Sequence, residues 1–190
     1  MADATARPEL DRSIHWETRI DDALHQELST LLLRIYPDDE RYFSNGRSWS
    51  GARPEVRLIG RLDGRAVAHL GMTRRFLRAS DAGRSVLIAD TGLVGVDPDL
   101  RGTGRGAELL RVAAEQMREL DVEFGFLTTG EDTSRYYASS GWRRASNPVV
   151  HAIDLDDRTE AYAGPAMYLP VTASEADWPT GELERNAREI

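Results

Sequence analysis

Residues 94–106 read Val-Gly-Val-Asp-Pro-Asp-Leu-Arg-Gly-Thr-Gly-Arg-Gly. An apolar strand runs into a proline, then into an arginine-led glycine loop, and a helical pattern follows at once. Glycine lets a backbone approach an anion closely, and successive N–H groups in such a loop point at it. A helix that opens there adds its positive dipole end. Gly102, Thr103, Gly104 and Gly106 are the expected cradle, with charge from Arg101 and Arg105. The chemistry implied is a grip on a pyrophosphate, and so on a phosphorylated carrier. Two other glycine loops do not fit. The nucleotide P-loop needs a lysine, and this chain has none. The dinucleotide fingerprint spaces its glycines differently and opens an early βαβ unit.

Further residues have the chemistry for proton transfer or substrate contact. Asp90 lies on the strand that leads to the loop and is a candidate base. The alternative is an exposed strand aspartate. His69 stands mid-strand in Val-Ala-His-Leu-Gly, and a pKa near neutrality suits a proton relay. The alternative is a packed core histidine. Asp38, Asp39, Glu40, Asp177 and Glu182 are candidates for an acidic acceptor wall, or are surface charges. Trp49 and Trp178 are candidates for stacking on the face of a substrate ring, or for core packing. Arg74 and Arg75 alternate across a strand, so at most one faces a cleft.

Composition bounds the class. The chain has 190 residues, enough for one domain with its own core, expected over 13–190 behind a loose tail at 1–12. No apolar run approaches the ~18 residues of a membrane span, and no apolar signal segment opens the chain, so a cytoplasmic location is expected. The absence of cysteine excludes disulfides and any acyl-cysteine intermediate. No metal centre is expected. A net charge of −8 argues against nucleic acid and favours a cationic small molecule, or simply aids solubility.

The elements that position these residues follow from periodicity. Ser13–Arg19 reads as a first strand. Asp21–Tyr36 carries apolar residues at helical spacing and stops at Pro37. Residues 41–54 read as a loop with a helical turn. Glu55–Leu62 and Ala66–Leu77 flank Asp63-Gly64, a hairpin signal. Ser85–Val96 is the next strand, Thr103–Leu120 an amphipathic helix, Val122–Thr128 a buried strand and Asp132–Ser140 a short helix ended by Gly141. Trp142–Ile153 and Pro165–Val171 read as closing strands, and Ala173–Ile190 as polar and irregular. This order implies a mixed α/β sheet of six to seven strands with helices on both faces.

The Arg-x-x-Gly-x-Gly loop after Val-x-Val-x-Pro resembles the coenzyme A loop of the GCN5-related N-acetyltransferase (GNAT) superfamily, whose element order also agrees. Tyr137–Trp142 (Tyr-Ala-Ser-Ser-Gly-Trp) resembles that superfamily's close of a short helix. The resemblance implies that Tyr137 protonates the leaving thiolate. It also implies that the Val94 N–H receives the oxyanion and that Val94 and Val96 pair with pantetheine amides. Asparagine often opens this helix in the superfamily, whereas Gly130-Glu131-Asp132 stands here.

From about residue 13 the chain is similar to the nodulation protein A family. The similarity is carried by residues 46–55, 68–76, 92–100 and 177–186, and it places Asp90 where that family usually has glutamate. It implies fatty N-acylation of the free terminal amine of a chitin oligosaccharide, with acyl carrier protein as donor. Ala68-His69, Arg74-Arg75, Tyr137–Trp142 and Asp177-Trp178 also resemble the aminoglycoside 2′-N-acetyltransferases, which use acetyl-CoA. Both likenesses imply an amine on a sugar as acceptor. Nodulation proteins tend to lack the loop arginine, and Arg101 is kept here, so acetyl-CoA or another short acyl-CoA is the expected donor. Acyl carrier protein is the alternative donor. A lysine- or N-terminus-modifying acetyltransferase and a non-catalytic coenzyme A-binding module are the further alternatives. A homodimer is a possible assembly.

Overall fold

The computed structural model describes residues 10–81, 83–154 and 157–190. Most of the expected tail therefore lies outside the described residues. The first strand, β1, starts earlier than expected, at Asp11, and runs to Trp16. Leu10, assigned to the tail, is 1% exposed and packs into the core.

Helix α1 covers Asp22–Ile35. The Asp21 carboxylate accepts the Leu24 N–H at 2.9 Å and so satisfies an otherwise unpaired donor of the first turn. A short turn, α2 (Glu40–Phe43), follows Pro37. Strands β2 (Val56–Leu62) and β3 (Arg65–Ala79) form the expected hairpin. Asp63 and Gly64 both take positive φ, 50° and 77°, the backbone twist that closes a tight hairpin. Strand β4 is Ser85–Val96, α3 is Arg105–Glu119, β5 is Phe124–Thr128 and α4 is Glu131–Ala138. Then come β6 (Arg143–Arg144), β7 (Val150–Ile153), β8 (Thr159–Tyr162), β9 (Ala166–Pro170) and β10 (Leu183–Arg188).

Ten strands among the described residues join in one mixed sheet, more than the six to seven expected. β1, β2, β3 and β4 are antiparallel neighbours. β4 pairs parallel with β5, which pairs antiparallel with β9, and β9 with β6. The polar stretch after Ala173 is not irregular throughout. Its β10 lies between the end of β3 and β7, and β8 closes that edge.

The helices take opposite faces, as the period of two along β2 requires. Val56 and Leu58 pack with Leu109, Leu110, Ala113 and Met117 of α3. Ile59 packs with Leu28, Leu31 and Ile35 of α1. Each fully buried leucine contributes about 1.5–3 kcal/mol of transfer free energy, so these two stripes fix where both helices sit.

One break in the sheet matters for function. β4 and β5 pair only at Ile88–Asp90 against Phe124–Phe126. From Thr91 onward β4 stays on β3 but leaves β5. The opening between them is a cleft lined by Asp90–Val94 on one side and Leu127–Thr129 on the other.

Candidate active site

The splayed strands create two cavities that meet. A cavity of about 660 Å³ holds Val94, Gly95, Val96, Arg101, Gly102, Gly104, Arg105, Gly106 and Tyr136 on its wall. A second, of about 380 Å³, is lined by Asp39, Asp90, Leu93, Val94, Tyr137, Arg185 and Glu189 among others. Tyr36, Val94 and Thr133 line both.

The glycine loop has the geometry its sequence implied. Gly102 and Gly104 take φ of 70° and 79°, a region that other residues enter only with strain. Gly104 is the N-cap of α3, so the unpaired N–H groups of the first turn open onto the larger cavity. Gly106 has no room for a side chain, because the Tyr136 hydroxyl packs where a Cβ would sit. Arg101 lines this cavity and donates to the Ile35 carbonyl at 3.3 Å. Arg105 is buried and pairs with Glu108 at 3.0 Å, which holds its guanidinium at the helix start. Thr103 donates its hydroxyl to the Leu100 carbonyl and shapes the turn.

Tyr136 and Tyr137 divide between the cavities, the first facing the larger and the second the smaller. Burial pushes the Tyr136 hydroxyl up to about 12. Burial raises Tyr137 further, and its neighbours Tyr36 and Tyr136 add to the effect. Both hydroxyls therefore stay protonated at neutral pH.

At the junction β4 carries a bulge. His69 faces Gly95 and Gly71 faces Gly92, so Leu93 and Val94 together oppose Leu70 alone. Leu93 takes φ of 52°, a left-handed conformation unusual for leucine. The Val94 carbonyl accepts from the Tyr36 hydroxyl at 2.9 Å.

Asp90 is 1% exposed at the floor of the smaller cavity. Arg75 approaches its Oδ2 at 3.2 Å and Arg185 its Oδ1 at 3.5 Å. Oδ2 nevertheless has no hydrogen-bond partner among the described residues. Burial raises the Asp90 pKa, and the guanidiniums of Arg185 and Arg75 oppose the rise. Glu189 bonds to Arg185 at 2.6 Å and accepts the Thr128 hydroxyl. Burial works against its ionisation, but Arg185 outweighs it and holds the carboxyl below its usual range.

Other expected site residues lie elsewhere. His69 is wholly buried and lines neither cavity. Burial and the nearby Arg57 depress its pKa to about 3, so it does not carry protons near neutrality as a relay would. Trp178 stacks on Tyr168 at 4.2 Å and meets Phe124 edge-on at 5.0 Å, a core role in place of sugar stacking. Trp49 is covered by the Arg53 guanidinium at 4.1 Å and by His25, and lines neither cavity. Asp177 closes a capping box with Ser174. Asp38 and Glu40 are exposed and outside the cleft, whereas Asp39 lines it. Glu182 pairs with His151 at 2.8 Å. Arg74 pairs with Glu55 while Arg75 turns to Asp90, the alternation expected across the strand.

Tyr36, Arg185 and Glu189 were absent from the sequence-based site. Tyr36 read as the last residue of a helix. The two charged residues sit in the stretch that read as irregular.

A splayed β4–β5 pair with a bulge, followed by a glycine loop capping a helix, defines the GNAT fold. Solved structures agree. The chain resembles a GNAT family N-acetyltransferase (YhbS) from Escherichia coli in complex with CoA, at TM-score 0.64 and 16% identity, covering 95% of this chain and 93% of that one. An acyl-CoA N-acyltransferase from Pseudomonas aeruginosa superposes at TM-score 0.57 with 18% identity over 85% of this chain and 99% of that one.

Sequence comparison gives the family. Residues 7–190 match the model for nodulation protein A (NodA). The chain is 34% identical to nodulation protein A of Bradyrhizobium sp. (strain NC92), over 97% of this chain and 93% of that protein. It is 33% identical to nodulation protein A of Mesorhizobium japonicum (strain LMG 29417 / CECT 9101 / MAFF 303099), over 97% and 100%. The chain belongs to the nodulation protein A family and is an N-acyltransferase. Among the described residues no helix is long and apolar enough to cross a membrane.

Proposed function

We propose that this protein moves an acyl group, in the first place acetyl, from coenzyme A to a primary amine on an amino-sugar-containing small molecule. The observation that carries the reading is the meeting of the two cavities at Val94. One has an anion-binding loop and a helix N-terminus, and the other has a buried carboxylate.

Gly102, Gly104 and Gly106 hold the pyrophosphate through backbone N–H groups, with Arg101 adding charge. The backbone of Val94 and Val96 aligns the pantetheine arm. Asp90 takes a proton from the acceptor ammonium, directly or through one water, and the freed amine forms the N–C bond at the thioester carbonyl. The Val94 N–H stabilises the oxyanion. As the C–S bond breaks, the proton that the attacking nitrogen still carries passes to the departing sulfur and leaves a neutral amide and the free thiol, while Tyr137 donates a hydrogen bond to that sulfur. Full proton transfer from a tyrosine raised above its ordinary pKa to a thiolate of pKa about 8.5 is uphill, so hydrogen bonding is the economical role. With no cysteine in the chain, direct attack needs no acyl-enzyme.

Family membership favours a second reading, in which the donor is an acyl carrier protein, the group is a fatty chain and the acceptor is a chitooligosaccharide-like amine. Calorimetric titration with acetyl-CoA, with Arg101→Ala as control, separates the two. Micromolar binding that the substitution weakens, followed by turnover in an amino-sugar screen, supports the first. Absence of binding moves the assignment to acyl carrier protein.

A further inference from the structure

We propose that His69 is a positioning residue: from inside the sheet it fixes the β4 bulge so that the Val94 N–H points into the cleft, at the oxygen of the carbonyl under attack. The inference rests on the acyl-transfer reading above.

His69 Nδ1 lies 2.9 Å from the Leu93 carbonyl oxygen and donates to it. Its Nε2 lies 3.3 Å from Arg57 Nη1. A guanidinium only donates, so Nε2 must accept and the ring proton must sit on Nδ1. Arg57 is itself 0% exposed. Glu17 at 2.7 Å and the Ser48 carbonyl at 2.7 Å hold it in place. The tautomer is thus dictated by a buried chain from Glu17 through Arg57 to the imidazole.

The Leu93 carbonyl and the Val94 N–H belong to one planar trans peptide, in which C=O and N–H point in opposite directions. A donor that anchors the carbonyl on the β3 side therefore aims the N–H away from β3. That is the side on which β4 has left β5 and the smaller cavity opens. Leu93 would leave φ of 52° readily if nothing held it, because a left-handed leucine costs about 1–2 kcal/mol. The Tyr36 hydroxyl holds the next carbonyl, that of Val94, from the α1 side. Hydrogen bonding to the carbonyl also polarises the peptide and strengthens its N–H as a donor.

The test compares His69→Leu, which removes the donor, with His69→Asn, whose amide nitrogen matches the position of Nδ1. Turnover, acetyl-CoA affinity and the Val94 amide resonance are read for each. The expected result for His69→Leu is a kcat loss of about 100-fold or more, the scale of losing an oxyanion donor, with a loss of acetyl-CoA affinity that is smaller than the loss of kcat. His69→Asn recovers most of kcat. The pH profile keeps its inflections in both variants. The inference is overturned if His69→Leu keeps wild-type kcat, if His69→Asn is no better than His69→Leu, or if an inflection near neutrality disappears. Should the wild type turn over no amine with acetyl-CoA, the acyl-transfer reading has failed instead. The Val94 amide still decides the positioning role: it shifts in His69→Leu and stays in His69→Asn if the inference holds, and a Val94 amide unmoved in His69→Leu overturns it.

Discussion

Asp90 and Arg185 meet at 3.5 Å with each side chain 2% exposed. One lies where β4 parts from β5 and the other on β10, so the last strand supplies a counter-charge to the floor of the cleft. Arg75 takes the other carboxylate oxygen from β3. The carboxylate is held between two guanidiniums, and its Oδ2, although ion-paired with Arg75, accepts no hydrogen bond among the described residues. That is the arrangement a proton acceptor needs.

Asp90→Asn keeps the shape and removes the charge. The expected loss of kcat is about 10²–10⁴, the usual contribution of a positioned base. Acetyl-CoA affinity should not change, because Asp90 is not on the wall of the larger cavity. Stability falls as well, by up to about 3–5 kcal/mol, because the buried Arg185 and the partly buried Arg75 lose a partner. Arg185 keeps Glu189, which moderates the loss. Turnover and urea melts on the same preparation separate the effects. A less stable protein with undiminished kcat would leave Asp90 only a structural role.

The pH profile follows from the same carboxyl. Burial sets its pKa above the ordinary 3.8, against the pull of Arg185 and Arg75. A base works only when ionised, so kcat should fall as pH falls through that raised value. The acid limb should vanish in Asp90→Asn, while the limb from the acceptor's own amine stays. His69 contributes no inflection near neutrality, since its pKa lies at about 3.

Much of this arrangement was legible in the sequence, for identifiable reasons. The Asp63-Gly64 turn, the apolar stripes of α1 and α3 and the glycine loop are local signals, and each element formed within a few residues of its expected bounds. Strand β10 was not legible. Its inward residues after Leu183 include Arg185, so no apolar alternation marks it. Only the buried partner on β4 makes that arginine a core residue, and such pairing is not visible along the chain. Trp178 and His69 failed in the opposite way. Their side-chain chemistry suggested contact with substrate, but stacking on Tyr168 and burial beside Arg57 absorb them. Tyr36 read as a helix end, and only the fold brings it to Val94.

His69 also sets how acid affects stability. Its folded pKa is about 3 against an ordinary 6.5, so folding disfavours the protonated ring. The stabilising contribution is present above about pH 6.5 and is lost as pH falls towards 3, at about 1.4 kcal/mol per unit. Urea melts at about pH 7 and about pH 5 should therefore differ by about 2 kcal/mol from this group. In His69→Asn that difference should shrink to what His15 and His25 contribute, whose pKa values are also lowered by partial burial. An unchanged difference would mean that the buried ring titrates no differently from an exposed one.

Gly106 and Tyr136 give a test of the donor cavity that leaves the acid–base groups untouched. Gly106 sits in the first turn of α3, and an added Cβ would collide with the Tyr136 hydroxyl. The colliding atom is the tip of a side chain that lines the same cavity, so Gly106→Ala must push the ring or the helix start. Either shift disturbs the N–H groups proposed to receive the pyrophosphate. Acetyl-CoA affinity should fall about tenfold, or about 1.4 kcal/mol. Tyr136→Phe in the same chain removes the clashing oxygen and should recover part of that affinity. If the double substitution binds no better than Gly106→Ala alone, the loss comes from the methyl group itself standing in the donor's place, and Tyr136 does not shape the loop.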